Sequence, residues 1–251
     1  MTNVASPQTA LQRRDELLVF VSKYAEEIEK LAPRGMTADY FVASLRLYFA
    51  QNPKLLDCQA LSIAQGILRV AQTGLTLGVS CDLLPFKDVC QYSPRYTGIV
   101  ELALASGTRA INLGVVREGD YFEFRKGTTM YLEHRPIGKS TAPILFGYAM
   151  AEIKQGAFVL EVMTREAIDA HRERYSRSWW KDIKGNIIPL EAVAWYAKKT
   201  PLRQMANVLP KNPRLAAALI FEKVVEDEEI PEATFEVQHE SAQEFAAGPR
   251  G

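Results

Sequence analysis

Ile111-Asn112-Leu113-Gly114-Val115-Val116-Arg117-Glu118-Gly119-Asp120-Tyr121-Phe122-Glu123-Phe124-Arg125 is the stretch that decides the fold. Two runs rich in β-branched and aromatic residues flank Glu118-Gly119-Asp120, a short polar connection with a glycine at its centre. That is a hairpin signature. The pattern repeats downstream. Thr129 to Glu133, Ile144 to Lys154 and Phe158 to Val162 are further strand candidates. Lys126-Gly127, Pro136 to Pro143 and Gln155-Gly156 separate them. Short connections require antiparallel neighbours, so the middle of the chain is expected to be an antiparallel sheet. Upstream, Leu83-Leu84-Pro85-Phe86 and Val89 to Tyr92 suggest another short pair around a Lys87-Asp88 turn.

Helical patterns lie on both sides of this sheet. Leu17, Val21, Tyr24, Ile28 and Leu31 recur every three to four residues and predict one helix from Leu11 to Leu31. Thr37 is the expected N-cap of a helix to about Ala50. Asp57 is a cap for a third helix that ends at Gly74. Ile99 to Ala105 is helical in pattern. Thr164 caps a later helix with Glu166 in its first turn. Leu190 to Lys199 predicts another, interrupted by Pro201, with Thr200 as a new cap. A last helix runs near Arg214 to Val225. Residues 1–9 are expected to be disordered. The class is α+β, with N-terminal helices, a central antiparallel sheet with hairpins, and C-terminal basic helices.

The chain has 251 residues, 47% of them hydrophobic, enough for a substantial core. Thirty basic and thirty acidic residues cancel over the whole chain, but they are not mixed evenly. From Arg165 to Arg214 there are eleven basic and five acidic residues, with Tyr175, Trp179, Trp180, Trp195 and Tyr196 among them. From Glu222 to Gly251 there are nine acidic and two basic residues. An apolar signal core is missing from the N-terminus, and no run approaches the ~20 residues of a membrane span. The expected location is the cytoplasm, without membrane association. Cys58, Cys81 and Cys90 form no Cys-x-x-Cys pair and are expected to be reduced thiols.

Motifs for small-molecule chemistry are weak. Gly138-Lys139-Ser140 lacks the upstream glycine of a phosphate-binding loop, since Glu133 occupies that position, and Pro136 and Pro143 frame it as a hairpin loop. There is no Gly-x-Gly-x-x-Gly and no Gly-x-Ser-x-Gly. His134, His171 and His239 have no metal-ligand spacing, so no metal or cofactor is expected. Glu118, Asp120 and Glu123 are the carboxylates that a metal-dependent nuclease would use, though turns and hairpins explain Glu118 and Asp120 more simply.

The basic, aromatic stretch carries the stronger chemistry. A ring offers its face to any base and an adjacent cation offers a partner to phosphate, which is what sequence-tolerant single-strand binding requires. The expected phosphate contacts are Lys87, Arg95, Arg125, Lys126, Arg172, Arg174, Arg177, Lys181, Lys198, Lys199 and Arg203. Tyr96, Trp179 and Trp180 are the expected stacking residues. Packing is the simpler reading of Trp195.

Several short segments, taken in order, resemble one family. They are Thr73-Gly74-Leu75-Thr76-Leu77-Gly78, Leu83 to Phe86, Tyr96 to Ala103, Val115 to Asp120, His134-Arg135-Pro136, Glu161 to Arg165, Ala197-Lys198-Lys199-Thr200 with Arg203, and Leu209-Pro210. Together they span about residues 60 to 215 and resemble the RecT family of phage single-strand DNA annealing proteins. Where that family usually has Tyr-Arg-Gly, this chain has Tyr96-Thr97-Gly98, with Arg95 ahead of the tyrosine.

The resemblance implies a fold related to other phage annealing proteins and ATP-independent annealing of complementary strands on a ring or helical homo-oligomer. It also implies single-stranded DNA and an annealed duplex as ligands. A 5′-to-3′ phage exonuclease and the host single-strand binding protein are the implied partners. The expected organisation is residues 1–55 as a helical region with oligomer contacts, 56–222 as the annealing core, and 223–251 as a disordered acidic tail. Two other readings stay open: a metal-dependent nuclease, and a structural oligomer without DNA affinity.

Overall fold

In the computed structural model, residues 7–176, 180–182 and 184–227 are described. Their architecture is α+β, with eight α-helices and seven strands, all paired antiparallel. The helices are α1 Pro7–Ser22, α2 Ala25–Leu31, α3 Ala38–Gln51, α4 Ala60–Thr73, α5 Tyr96–Ala105, α6 Arg165–Tyr175, α7 Ala194–Ala206 and α8 Pro213–Asp227. The strands are β1 Cys81–Phe86, β2 Val89–Pro94, β3 Ala110–Arg117, β4 Tyr121–Arg125, β5 Tyr131–Arg135, β6 Ile144–Glu152 and β7 Phe158–Thr164. The chain divides within α5 into two units. The first runs up to Leu102 and takes back the segment from Lys211; the second runs from Ala103 to Pro210.

In the first unit, α1 to α4 surround a core of Leu17, Val21, Ile28, Phe41, Leu45, Phe49, Ile63 and Ile67, all essentially inaccessible. The single helix expected over Leu11–Leu31 is broken, because the amides of Lys23 and Tyr24 bond back to Phe20 and Val21 in a turn. The third helix begins later than expected. Pro53–Asp57 is a 3₁₀ turn, and α4 starts after Gln59 without a side-chain cap. Thr37 does cap α3, its hydroxyl accepting the Tyr40 amide at 3.3 Å.

The β1–β2 hairpin packs beside α4 and α8. Here the glycines of the family-like segment have physical work. Gly74 ends α4 in the left-handed conformation (φ 64°), and a Cβ there would lie 2.4 Å from both the Arg214 guanidinium and the Pro33 ring. Arg214 Nε donates to the Thr73 carbonyl at 2.6 Å, closing the end of α4. Gly98 has no room for a Cβ, which would sit 2.2 Å from the Ser80 carbonyl. Cys58, Cys81 and Cys90 are buried free thiols, and burial pushes the Cys58 thiol up to about 11.

In the second unit the strands do not follow one another as a simple meander. A three-stranded sheet has the order β3-β6-β7, while β4 and β5 form a separate two-stranded hairpin inserted between β3 and β6. The fifth strand begins at Tyr131, two residues later than the pattern suggests. Helix α7 lies across one face of the sheet, with α6 beside it. Contrary to expectation, Pro201 does not divide this helix. The helix is continuous from Ala194 to Ala206, and Thr200 bonds back to the Tyr196 carbonyl at 3.0 Å instead of starting a new helix.

A proline inside a helix removes the donor for the carbonyl four residues earlier, which here is that of Ala197. That carbonyl lies only 2.0 Å from where a Cβ on Gly147 of β6 would stand. Strand glycine and helix proline therefore answer one requirement, the close approach of α7 to the sheet. Among the described residues no helix is long and apolar enough to cross a membrane.

Candidate nucleic-acid interface

The basic stretch divides into cations that build the second unit and cations that face solvent. Arg165 belongs to the first kind. At the start of α6 it bonds Asp169 at 3.1 Å, the Ile144 carbonyl at 3.3 Å and the Glu191 carboxylate. Glu191 also accepts the Ile144 amide at 2.8 Å. Burial pushes the Glu191 carboxyl up, but that amide and Arg165 outweigh it and hold it below the usual range. The start of β6, α6 and the turn before α7 are thereby joined.

Arg172 is the second pillar. Expected as a phosphate contact, it is completely buried. It donates to Asp169 at 2.9 Å and to the Ile188 carbonyl at 2.8 Å. Its guanidinium lies 5.3 Å from the Trp180 ring and 5.9 Å from that of Tyr196. In this arrangement it meets the protein on every side, with the Trp180 ring among its neighbours. Tyr196 accepts further support from His171 and Ser176, each 2.9 Å from its hydroxyl. Trp195 is half-buried against the sheet, in keeping with packing.

Beyond Trp180 the chain makes a small hairpin. The Ile188 amide donates to the Trp180 carbonyl at 2.8 Å, and Lys181 pairs with Ile187. Asp182 closes the tip by accepting the Lys184 and Asn186 amides at 2.9 and 2.8 Å. The Asn186 side chain and amide hold the Asp182 carboxyl below its usual range. Lys181, Lys184 and Arg174 are exposed, the last lying over the Tyr175 ring. On α7, Lys198, Lys199 and Arg203 are half-buried between the residues that anchor the helix. Arg177 and Trp179 lie outside the described residues.

The β4–β5 hairpin has its own chemistry. Tyr121-Phe122-Glu123-Phe124-Arg125 and Tyr131-Leu132-Glu133-His134-Arg135 share one pattern, and their antiparallel register sets Tyr121 opposite Arg135, Glu123 opposite Glu133 and Arg125 opposite Tyr131. Each arginine lies over the tyrosine it faces, at 5.0 Å for Arg135 and 5.7 Å for Arg125. Two facing glutamates would repel. Both tyrosine hydroxyls bond Glu123, and Arg135 bonds Glu133. Lys126 forms an ion pair with Glu161 of β7 at 3.0 Å. This repeated pattern is legible in the sequence but invisible to a search for charge alone.

The other side of the hairpin packs on the sheet. Phe122 stacks on Tyr148 at 5.8 Å and meets Phe146 at 5.5 Å. His134 joins the Tyr148 hydroxyl at 3.2 Å to Asp120 at 3.1 Å. Asp120, with only 3% of its side chain exposed, also accepts the amides of Arg117 and Gly138 at 2.8 Å each. Burial pushes its carboxyl up, but those amides and His134 overcome the effect and hold it at about 2. A carboxylate only accepts, so His134 Nε2 carries the proton, and in the neutral ring Nδ1 accepts from Tyr148. Of the nuclease carboxylates, Asp120 is thus enclosed in this knot and Glu123 is held by two tyrosines. Among the described residues no three His, Cys, Asp or Glu side chains gather as metal ligands.

In the first unit, Lys87 is exposed at the β1–β2 turn with φ 53°. Tyr96 begins α5, half-buried. Arg95 is gripped by Asp82 through Nε at 2.6 Å and Nη2 at 2.7 Å, and Asp82 also accepts the Tyr48 hydroxyl at 3.1 Å. Its guanidinium therefore binds a largely buried carboxylate of its own unit.

A family model for the RecT family matches residues 40–236. Protein RecT of Escherichia coli (strain K12) is 30% identical over 230 residues, covering 85% of this chain and 82% of that protein. The chain belongs to the RecT family. It is by family a single-strand annealing protein of DNA recombination in a phage or prophage setting. Several of the segments that carried the resemblance are those with structural tasks here: Gly74 and Gly98, the Asp120–His134 knot, and Arg165.

Proposed function

We propose that this protein binds single-stranded DNA and anneals complementary strands without nucleotide hydrolysis, as a homo-oligomer in a ring or helical filament. It is not an enzyme in this reading. The observation that carries it is the division of cations just described. Arg165 and Arg172 tie α6 to the start of β6 and to the segment before α7, while Arg174, Lys181 and Lys184 on the anchored segments are exposed, and Trp180 lies against Arg172. Lys198, Lys199 and Arg203 add positive charge along α7, while Lys87, Arg125 and Lys126 are further phosphate candidates.

Pairing itself is downhill, by about 1.4 kcal/mol per stacked step. The protein must reduce the repulsion between two strands and hold each one open. Cations along a track do the first and an extended strand on an oligomer does the second. A 5′-to-3′ phage exonuclease that exposes the strand and the host single-strand binding protein that covers it are the matching partners.

The test is annealing of two complementary fluorescent oligonucleotides without ATP, with metal chelated and salt varied. Rapid, salt-sensitive pairing of intact strands is expected. Cleavage that needs a divalent metal would favour the nuclease, and a large assembly without DNA affinity would favour a structural oligomer. Replacing Lys198 and Lys199 by Ala is expected to flatten the log–log salt dependence of binding by roughly 0.7 per lost phosphate contact, and an unchanged slope removes both residues. The acidic segment from Glu226 to Gly251 is proposed to compete with DNA. Its deletion is expected to tighten binding at low salt, and unchanged affinity would end that idea.

A further inference from the structure

The loop between β5 and β6 carries a residue that neither packing nor the phosphate track explains. Ile137 is 75% exposed, the highest value among the large apolar side chains described. Single exposed apolar residues are ordinary on protein surfaces, but this one stands on an anchored loop. Its neighbour Gly138 is held through its amide by Asp120 at 2.8 Å. A Cβ on Gly138 would lie 2.5 Å from the Glu118 carbonyl, so the two loops touch backbone to backbone. His134, three residues before Ile137, is fixed by the same carboxylate and by Tyr148. The Ala142 amide closes the far side on the Lys139 carbonyl at 2.9 Å. An apolar side chain is thus displayed in water on a braced support, with exposed Lys139 two residues after it and Arg135 two residues before it, the latter paired with Glu133 yet still exposed.

Proteins that kink duplex DNA insert an apolar wedge, isoleucine among them, into a base step and partly unstack it, and Arg and Lys position a nucleic acid through its phosphates. We propose that the loop Pro136 to Ser140 inserts Ile137 between two adjacent bases of a bound single strand, with Arg135 and Lys139 on the neighbouring phosphates. The inference rests on the single-strand binding reading and adds a contact to the bases themselves. Each subunit would interrupt the stack once, leaving the bases between successive wedges stacked and free to sample a partner strand. The Asp120 knot is then the positioning device, because it fixes the loop against the end of β3 so that the wedge does not fold back.

The experiment uses the full chain and an oligonucleotide containing 2-aminopurine between adenines, whose emission rises when stacking is lost. Wild-type protein is expected to brighten the probe. Ile137→Ser is expected to melt as wild type does, because the side chain is exposed, and to keep the salt slope of binding. It should lose the brightening and bind about five- to tenfold more weakly. Gly138→Ala, which keeps Ile137 but displaces the loop, is expected to lose most of the brightening too. Full brightening by Ile137→Ser overturns the wedge and leaves the annealing reading intact. Failure of the wild-type protein to bind the oligonucleotide overturns both. A changed assembly size in Ile137→Ser with unchanged brightening assigns the residue to contact between copies and also overturns the wedge.

Discussion

The two faces of the β3-β6-β7 sheet are built on different principles. On one, α7 comes down on Gly147 with backbone against backbone, and Ile144, Ile168, Leu190, Val193 and Ala197 fill the surrounding space. On the other, the β4–β5 hairpin is held by directed bonds that converge on Asp120 and His134. Shape complementarity holds the first face, and it fails when volume changes. A hydrogen-bonded knot holds the second, and it fails when a partner or a proton changes. The expected penalties differ accordingly.

The largest effect is expected at Gly147. The Cβ of Ala or Val there would overlap the Ala197 carbonyl, and neither group is the flexible end of a side chain. Overpacking a core costs roughly 1–3 kcal/mol or more, and this site should lie at the upper end because helix and strand must separate. Urea unfolding of Gly147→Val is the measurement. A loss below about 1 kcal/mol would mean that α7 slides easily over the sheet, and the contrast between the faces would disappear.

Next comes Asp120→Asn. The amide side chain keeps one accepting oxygen where the carboxylate has two, so Gly138, Arg117 and His134 cannot all be satisfied. Loss of hydrogen bonds to a buried charged group costs about 1.5–3 kcal/mol. The pH dependence sharpens the test. The folded carboxyl lies near 2, below its ordinary 3.8, so its contribution is complete above about pH 4 and is lost as pH falls through 2. Melting measured from pH 5 to 2 should therefore bring wild type and Asp120→Asn together at the acid end. A constant gap would mean that Asp120 acts by shape rather than charge.

Much of this fold was legible in the sequence, and the failures are specific. The strand runs, the Thr37 and Thr164 caps and the Gly74 helix end all rest on local backbone chemistry, which short windows report. Pairing order was not legible, because β3 joins β6 across an inserted hairpin, and alternation does not name a strand's neighbour. Pro201 misled for the same reason: its cost is offset by a glycine more than fifty residues earlier. At the candidate site, charge counting gathered cations without regard to burial. Arg172 and Arg174 are two residues apart on one helix, yet one is sealed in the core and the other exposed. Helical phase distinguishes them, and a net charge does not. Arg95, an expected phosphate contact, is exposed but paired with Asp82 of β1, a partner on another element that charge counting does not reveal.

The smallest effect belongs to Tyr148→Phe, and it probes whether the knot acts as one unit. Burial pushes the Tyr148 hydroxyl up, which keeps it protonated as the donor to His134. The ring still stacks on Phe122 and covers Gly114 when the hydroxyl is removed, so only one neutral hydrogen bond is lost, worth about 1 kcal/mol. Combined with Asp120→Asn in a double-mutant cycle, the two changes share a single imidazole. If His134 transmits the bond on one nitrogen to the bond on the other, the penalties should fall short of additivity by about 0.5 kcal/mol or more. Additive penalties would show that the imidazole is only a spacer and that Asp120 holds the loop through its two amides alone. The bracing of Ile137 would then come from the Asp120–Gly138 bond and the Glu118–Gly138 contact rather than from the aromatic face of the hairpin.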